Sequence, residues 1–402
     1  MRGGRGVQHR LRHRLGHPRN TGYADRPLGH AHRGERRPRP DAAFGCADPS
    51  GGFIEFPRSH RLETGNTLRA DPSGHSGLLA GSFVKALITG IAGFAGSHLA
   101  EHLLAQGHEV SGISLPNIAP DNLKHIIDRI SLYRSDLLDK ENTRAIIEDN
   151  RPDRVFHLAA KSSVAASWDD PAKTFETNLI AGIHLLESCR ALGSQVRILL
   201  VGSAEIYGGG ELSGEINEEI PFAPKNPYAI SKLALDLASE QIAKANGMHL
   251  VRMRPMNHTG PRQATGFAIP DWAKQISEIE AGEKEPIVRT GNLESWRDFS
   301  DVRDVVRAYA LAAEHGTPGE AYLVCSGHSI KIREALNILL SLAKVSISIE
   351  QDPKKRPNDS SVFSATYSKL AHATGWRPEI LFEQTLKDTL AYWQTKTASS
   401  SP

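Results

Sequence analysis

Tyr228 and Lys232 stand four residues apart in Tyr228-Ala229-Ile230-Ser231-Lys232. On a helix that spacing puts a phenol and an ammonium on one face, one turn from each other. The ammonium favours the phenolate and is expected to lower the tyrosine pKa, the tuning a general acid or base needs near neutral pH. Taken alone, such a pair arises by chance on many solvated helices. Ser203 adds a third group in Val201-Gly202-Ser203-Ala204-Glu205-Ile206-Tyr207-Gly208. It follows an apolar run, and open parallel sheets place their active sites just beyond the ends of such strands. Its hydroxyl could hydrogen-bond the substrate oxygen that Tyr228 protonates. Tyr207 competes for the tyrosine role, but no lysine follows it at i+4.

These groups need elements to hold them. Asn226 can cap the Tyr228 helix, Pro227 suits its first turn and Gly247 its end, while Glu240 and Lys244 form an i,i+4 pair. Upstream, Thr89-Gly90-Ile91-Ala92-Gly93-Phe94-Ala95-Gly96 places three glycines between a strand at 83–90 and a helix carrying Leu99, Leu103 and Leu104, with Gly107 as its stop. Gly90 would make the tight turn, Gly93 would admit a pyrophosphate, and Gly96 would let the helix pack on the strand. The phosphates would then sit on free N–H groups at the helix start. Further strands are expected at 109–114, 155–160, 196–202 and 249–254, with helices near 142–149, 172–192 and 227–246. Strands that are apolar throughout and alternate with helices predict an α/β fold, a doubly wound parallel Rossmann sheet covered on both faces. After about residue 256 the alternation weakens, and helices at 270–282, 301–315, 331–343 and 383–396 are separated by Pro- and Gly-rich loops. The expected organisation is a dinucleotide-binding part at 83–255 carrying the catalytic residues. A smaller, mainly substrate-binding part at 256–398 is partly interleaved with the sheet. The second strand ends in Ser114-Leu115-Pro116-Asn117, with neither the acid that binds a ribose diol nor an arginine for a 2′-phosphate. NADP and NAD both stay open.

Residues 1–82 are another material, rich in Arg, Gly, His and Pro, and Lys85 is the first lysine of the chain. The stretch has too little apolar periodicity to offset its ordering entropy, so it reads as a disordered tail or an upstream extension before a start near Ser82. The net charge of +2 over 402 residues does not advertise nucleic acid as a partner. Three scattered cysteines suit a reducing compartment better than a disulfide framework or a metal site. No apolar run is long enough to span a membrane.

From Val84 to Trp393 the chain resembles the extended short-chain dehydrogenase/reductases that act on nucleotide sugars, and within them the GDP-mannose branch. The resemblance rests on Gly90-x-x-Gly93-x-x-Gly96, His157-Leu158-Ala159-Ala160, Ser203-Ala204-Glu205-Ile206-Tyr207-Gly208 and Tyr228-x-x-x-Lys232. It extends to Arg254 through Gln263, Gly291-Asn292-Leu293, Arg297 through Asp304, Arg356-Pro357-Asn358-Asp359 and Thr374-Gly375-Trp376-x-Pro378. It implies NAD(P)H-dependent reduction of the C4 ketone of a GDP-linked 6-deoxyhexulose, GDP-4-dehydro-6-deoxy-D-mannose, to GDP-D-rhamnose. The alternatives are 4,6-dehydration of GDP-mannose, then 4-epimerisation or a binding-only role. Tyr228 would protonate the C4 oxygen, Lys232 would hold the nicotinamide ribose, and Ser203 would orient the ketone. Phe94 and Ala95 would join the glycines at the cofactor. Asp136 and Leu137 would lie near the adenine, and Leu158, Ala159, Ala160, Lys161 and Asn178 would line the groove. Asn257, Arg262, Arg297 and Arg356 would bind the nucleotide sugar, with Asp359 beside Arg356; arginine forks match phosphate oxygens. Glu205 stands where sugar dehydratases place a base, and Ala204 where many of them carry an acid. No metal is implied. A cytoplasmic homodimer pairing helices like 172–192 and 227–246 is expected.

Overall fold

Seven short runs, most of them apolar at nearly every position, form one parallel sheet. They are β1 (Lys85–Thr89), β2 (Glu109–Ser114), β3 (Ile130–Arg134), β4 (Arg154–His157), β5 (Arg197–Val201), β6 (His249–Pro255) and β7 (Ala321–Val324). The computed structural model describes residues 83–193, 195–208, 215–352 and 364–399. The readings made of residues 1–82, Arg356 and Asp359 fall outside these described residues. Strand order is β7-β6-β5-β4-β1-β2-β3, with every neighbour parallel. Five of the strands were expected from their apolar runs. The edge strand β3 was not, because it is half exposed and polar at alternate places, Ile-Ser-Leu-Tyr-Arg. Nor was β7, a four-residue strand that crosses back from the later part of the chain to pair with β6.

Helices cover both faces, as a buried parallel sheet requires. Helices α1 (Phe94–Ala105) and α5 (Val302–His315) pack on one face, where Leu99, Leu103, Val305 and Tyr309 join Ile88 and Val251 in a core. Helices α2 (Lys140–Asn150), α3 (Ala181–Arg190) and α4 (Pro227–Asn246) cover the other, where Ile147, Leu185 and Leu235 meet Leu87, Val155 and Leu200. The helix expected at 172–192 is not continuous. A short helix Pro171–Phe175 passes through a π-helical turn, Glu176–Ile180, into α3. A third core lies among the later helices Ala268–Glu280, Ile332–Ser341 and Phe382–Ala398, around Trp272, Leu336 and Trp393. Among the described residues no helix is long and apolar enough to cross a membrane.

Candidate active site

The sheet reverses its direction of winding between β1 and β4, and ligands of open α/β sheets bind in the crevice at that point. The glycine loop and Leu158-Ala159-Ala160 meet there. Gly90 has φ +73°, and a Cβ on it would come within 3.0 Å of the Ala159 backbone. A Cβ on Gly96 would sit 2.3 Å from the Gly90 carbonyl oxygen. Gly93 precedes α1, and no side chain caps that helix. The first N–H groups of α1, from Phe94, Ala95 and Gly96, are therefore open to an anion. The cradle fits the pyrophosphate of a dinucleotide, and nothing larger than glycine fits its floor. Phe94 turns its ring away, stacked on His258 with centroids 5.8 Å apart and edge-on to His98.

The far wall is fixed by hydrogen bonds. The Leu158 and Ala159 N–H groups donate to the carbonyl and hydroxyl oxygens of Thr89, at 3.2 and 3.3 Å. Asn178, buried in the π-turn, accepts the Lys161 N–H at 2.7 Å and donates to its carbonyl at 3.1 Å. It also donates to Ser231 Oγ at 3.0 Å, and Ser231 donates to the Tyr228 carbonyl at 2.7 Å. One amide thus ties the groove wall to the helix that carries Tyr228, and a π-turn at such a place is a common functional device. Lys161 itself is exposed, 3.9 Å from Asp170. Asp136 is exposed and accepts the Leu138 N–H, while Leu137 is buried with its carbonyl taken by His184.

Tyr228 enters the site from the first turn of α4. Asn226 caps that turn, its Oδ1 accepting the Ala229 N–H at 2.7 Å, and Pro227 follows. Ser203 hydrogen-bonds the phenol, and its Oγ also accepts the Glu205 N–H at 3.1 Å. Lys232 is buried and donates from Nζ to the Val201 carbonyl at 2.8 Å. The expected depression of the tyrosine pKa does not occur. Burial pushes Tyr228 up to about 12, against the Ser203 hydrogen bond and with the Glu205 carboxylate adding to the rise. The lysine is the group brought down, to about 8, again by burial, with the Asp236 carboxylate opposing. The four-residue spacing does put both groups on one helix, but desolvation sets the ionisation of the tyrosine.

Tyr207 is not a second candidate. Its ring is buried and its hydroxyl accepts a hydrogen bond from Arg254 at 2.7 Å. Arg254 makes a two-pronged contact with Asp236 at 2.8 and 2.9 Å, and Arg252 donates to the same carboxylate at 2.8 Å. Glu240 accepts from Arg252 at 2.6 Å, not from Lys244 as the helix spacing suggested. Arginines alternating within the apolar strand β6 were the available signal for this buried network, since they must share one sheet face. Glu205 is exposed, and Ala204 is buried against Ile206, Tyr207 and Met256.

In the later part of the chain Asn257 and Arg297 lie on neighbouring strands. Asn257 opens a strand, Asn257–Thr259, that pairs in parallel with Trp296–Asp301, opposite Phe299. Asn257 is exposed, while the half-buried Arg297 donates to the Trp296 carbonyl at 2.7 Å. Arg262 is different. It has φ +72°, its side chain is 12% exposed, and its guanidinium is spent on Glu101 and His98 of α1. It fastens its loop to the glycine-loop helix instead of reaching for a diphosphate. Sequence offered no sign of this, because Glu101 lies 161 residues away.

Comparison with known proteins agrees with the geometry. The sequence profile of the GDP-mannose 4,6 dehydratase family matches residues 87–389. GDP-6-deoxy-D-mannose reductase of Pseudomonas aeruginosa is 33% identical over 78% of this chain and 98% of its own. GDP-mannose 4,6-dehydratase of Yersinia enterocolitica is 27% identical over 76% of this chain and 93% of its own. Among solved structures, RMD from Pseudomonas aeruginosa complexed with NADPH is 33% identical with a TM-score of 0.69, covering 78% of this chain and 99% of that one.

Proposed function

The chain belongs to the GDP-mannose 4,6-dehydratase family, and from that membership we propose that it reduces the C4 ketone of GDP-4-dehydro-6-deoxy-D-mannose to GDP-D-rhamnose. One observation carries the choice of reaction. The tyrosine is held protonated, with Ser203 on its hydroxyl, and Ala204, buried where many sugar dehydratases carry an acid, can transfer no proton; this weakens the dehydratase reading without eliminating it, since the GDP-mannose dehydratases carry serine there. Ketone reduction needs one proton donor, whereas dehydration needs further groups at C5 and C6. The reductase from Pseudomonas aeruginosa supports the same reading.

NADPH or NADH, bound across the glycine cradle, supplies the hydride. Ser203 holds the ketone oxygen and Tyr228 donates its proton to that oxygen as negative charge develops on it. Lys232, one turn along, holds the ribose hydroxyls and lends positive charge to the tyrosine as it ionises. Asn257 and Arg297 hold the diphosphate, and Arg356 and Asp359 of the family motif are assigned to the same substrate. Glu205 is the group a dehydratase would use as its base, so GDP-mannose 4,6-dehydration is the second reading. A homodimer is part of the same proposal, supported by Ile230 and Leu237, both 43% exposed and one heptad apart on α4.

Two incubations separate the reactions. With GDP-4-dehydro-6-deoxy-D-mannose and reduced cofactor, the protein consumes NADPH or NADH and yields the deoxyhexose. With GDP-mannose alone it yields nothing; a keto-sugar formed there would establish the dehydratase instead. Tyr228→Phe should cut reduction on the order of 10²- to 10⁴-fold while cofactor binding, read by fluorescence, persists.

A further inference from the structure

The turn that carries Ser203 is anchored at both of its ends. Ser203 opens the 3-10 turn Ala204–Tyr207, its Oγ accepting the Glu205 N–H at 3.1 Å while it hydrogen-bonds the Tyr228 phenol. Tyr207 closes the turn, and its hydroxyl accepts a hydrogen bond from Arg254 Nη1 at 2.7 Å. Arg254 in turn donates from Nε and Nη2 to the Asp236 carboxylate at 2.9 and 2.8 Å. Asp236 lies on α4, about two turns past Tyr228. These contacts close a ring. It runs from Tyr228 to Ser203, along the turn to Tyr207, across to Arg254, on to Asp236, and back along the helix to Tyr228.

The hydroxyl of Tyr207 is the link in that ring which packing does not require. The ring of the side chain is packed among Ile206, Ile216 and Met256, where a phenylalanine would fill the same space. Its oxygen adds a bond to a guanidinium, and such charge-assisted bonds are strong and directional in a water-free interior. The Arg254 guanidinium is itself confined, 5.1 Å from the centroid of the Phe222 ring and 5.8 Å from that of Tyr207. The backbone bonds of the turn, from the Gly208 N–H to the Glu205 carbonyl and from the Ala223 N–H to the Ile206 carbonyl, set its shape. The line from Tyr207 through Arg254 to Asp236 sets how it stands against α4.

We propose that the Tyr207 hydroxyl is a positioning group for the reaction: through Arg254 and Asp236 it holds the Ser203 turn against α4, so that Ser203 and Tyr228 meet the same substrate oxygen. The inference rests on the reaction proposed above and adds a residue that, only 1% exposed, touches neither substrate nor cofactor. Rate is steep in such alignment, since a misplacement of about 1 Å can cost on the order of 10²-fold.

The test is a double-mutant cycle with Ser203→Ala, measured in single turnover so that slow reactions are resolved. Tyr207→Phe removes one oxygen. Alone, it should lower turnover about 10- to 100-fold with KM changed by less than about twofold. In the Ser203→Ala background the same change should cost less than about twofold, because the group it positions is gone. A tyrosine that serves only the fold would lower both backgrounds by the same factor. That result overturns the proposal, and so does an unchanged turnover in Tyr207→Phe alone. The cycle is run on whichever of the two incubations above the wild type performs, since both turn on the C4 oxygen. A wild type silent in both refutes the assigned reaction and leaves the ring to hydrogen exchange. There Tyr207→Phe should speed exchange of the Glu205 amide, which is bonded to Ser203 Oγ, by about tenfold, and an unchanged amide overturns the proposal. Should Tyr207→Phe fail to fold, Arg254→Gln, which breaks the same bond from its other side, takes its place in the cycle with the same outcomes.

Discussion

Tyr228 keeps its proton and Lys232 is close to losing one, and burial is the cause of both. The consequence for rate has a definite sign. Below pH 8 the lysine is an ammonium, able to support a tyrosine that is giving up its proton; above about 8 that charge goes. Reductive turnover should therefore be level from pH 6 to 7.5 and fall as pH rises through about 8, long before Tyr228 ionises near 12. A pH–rate profile that stays flat to pH 10 would contradict the assignment. Lys232→Met should lower turnover at every pH and abolish the break near 8. That Tyr228, Lys232 and Ser203 lie at the carboxyl end of the sheet was readable from spacing and chain order. Their ionisation was not, because desolvation depends on the walls around them, and those come from distant segments.

The helix that carries Tyr228 begins where its cap says it should. Asn226→Ala removes the acceptor for the Ala229 N–H and should cost about 1 kcal/mol. The loss would show in a urea midpoint, and also as a fall in turnover, since the first turn holds the phenol. Beneath the same helix, Asp236 neutralises Arg252 and Arg254. Asp236→Ala leaves two buried guanidinium groups with one carboxylate lost, and should destabilise the fold by about 3–5 kcal/mol, measured by chemical denaturation. Elements of this kind divide cleanly by legibility. The caps of α4 and the glycine loop are local, and local sequence states them. The π-turn that aims Asn178, the edge strand β3 and the returning strand β7 depend on partners far along the chain. So does Arg262, whose positive φ and bond to Glu101 belong to a loop closing on a remote helix.

Across the molecule, several imidazoles are buried as neutral rings. Burial, with Arg262 nearby, pulls His98 down to about 4; burial, with Lys232 above, pulls His157 to about 3. Both values lie below that of free imidazole, so the unfolded chain takes up the protons first. The stability they protect is whole above about pH 6.5 and drains away as pH falls toward 4 and then 3. The urea midpoint should thus be lower at pH 5 than at pH 7.5, and His98→Gln should narrow that gap.

Strand β7 has a consequence for how such a chain is made. It is the neighbour that covers the outer side of β6, and β6 is buried along nearly all its length. While a ribosome has delivered residues only as far as Pro255, that side of the strand is an open seam of unpaired amides and carbonyls. Such a seam invites pairing with other chains. The nascent protein must wait some seventy residues more, until Ala321–Val324 emerges, before the seam closes. That interval is when a chaperone would matter most to its yield.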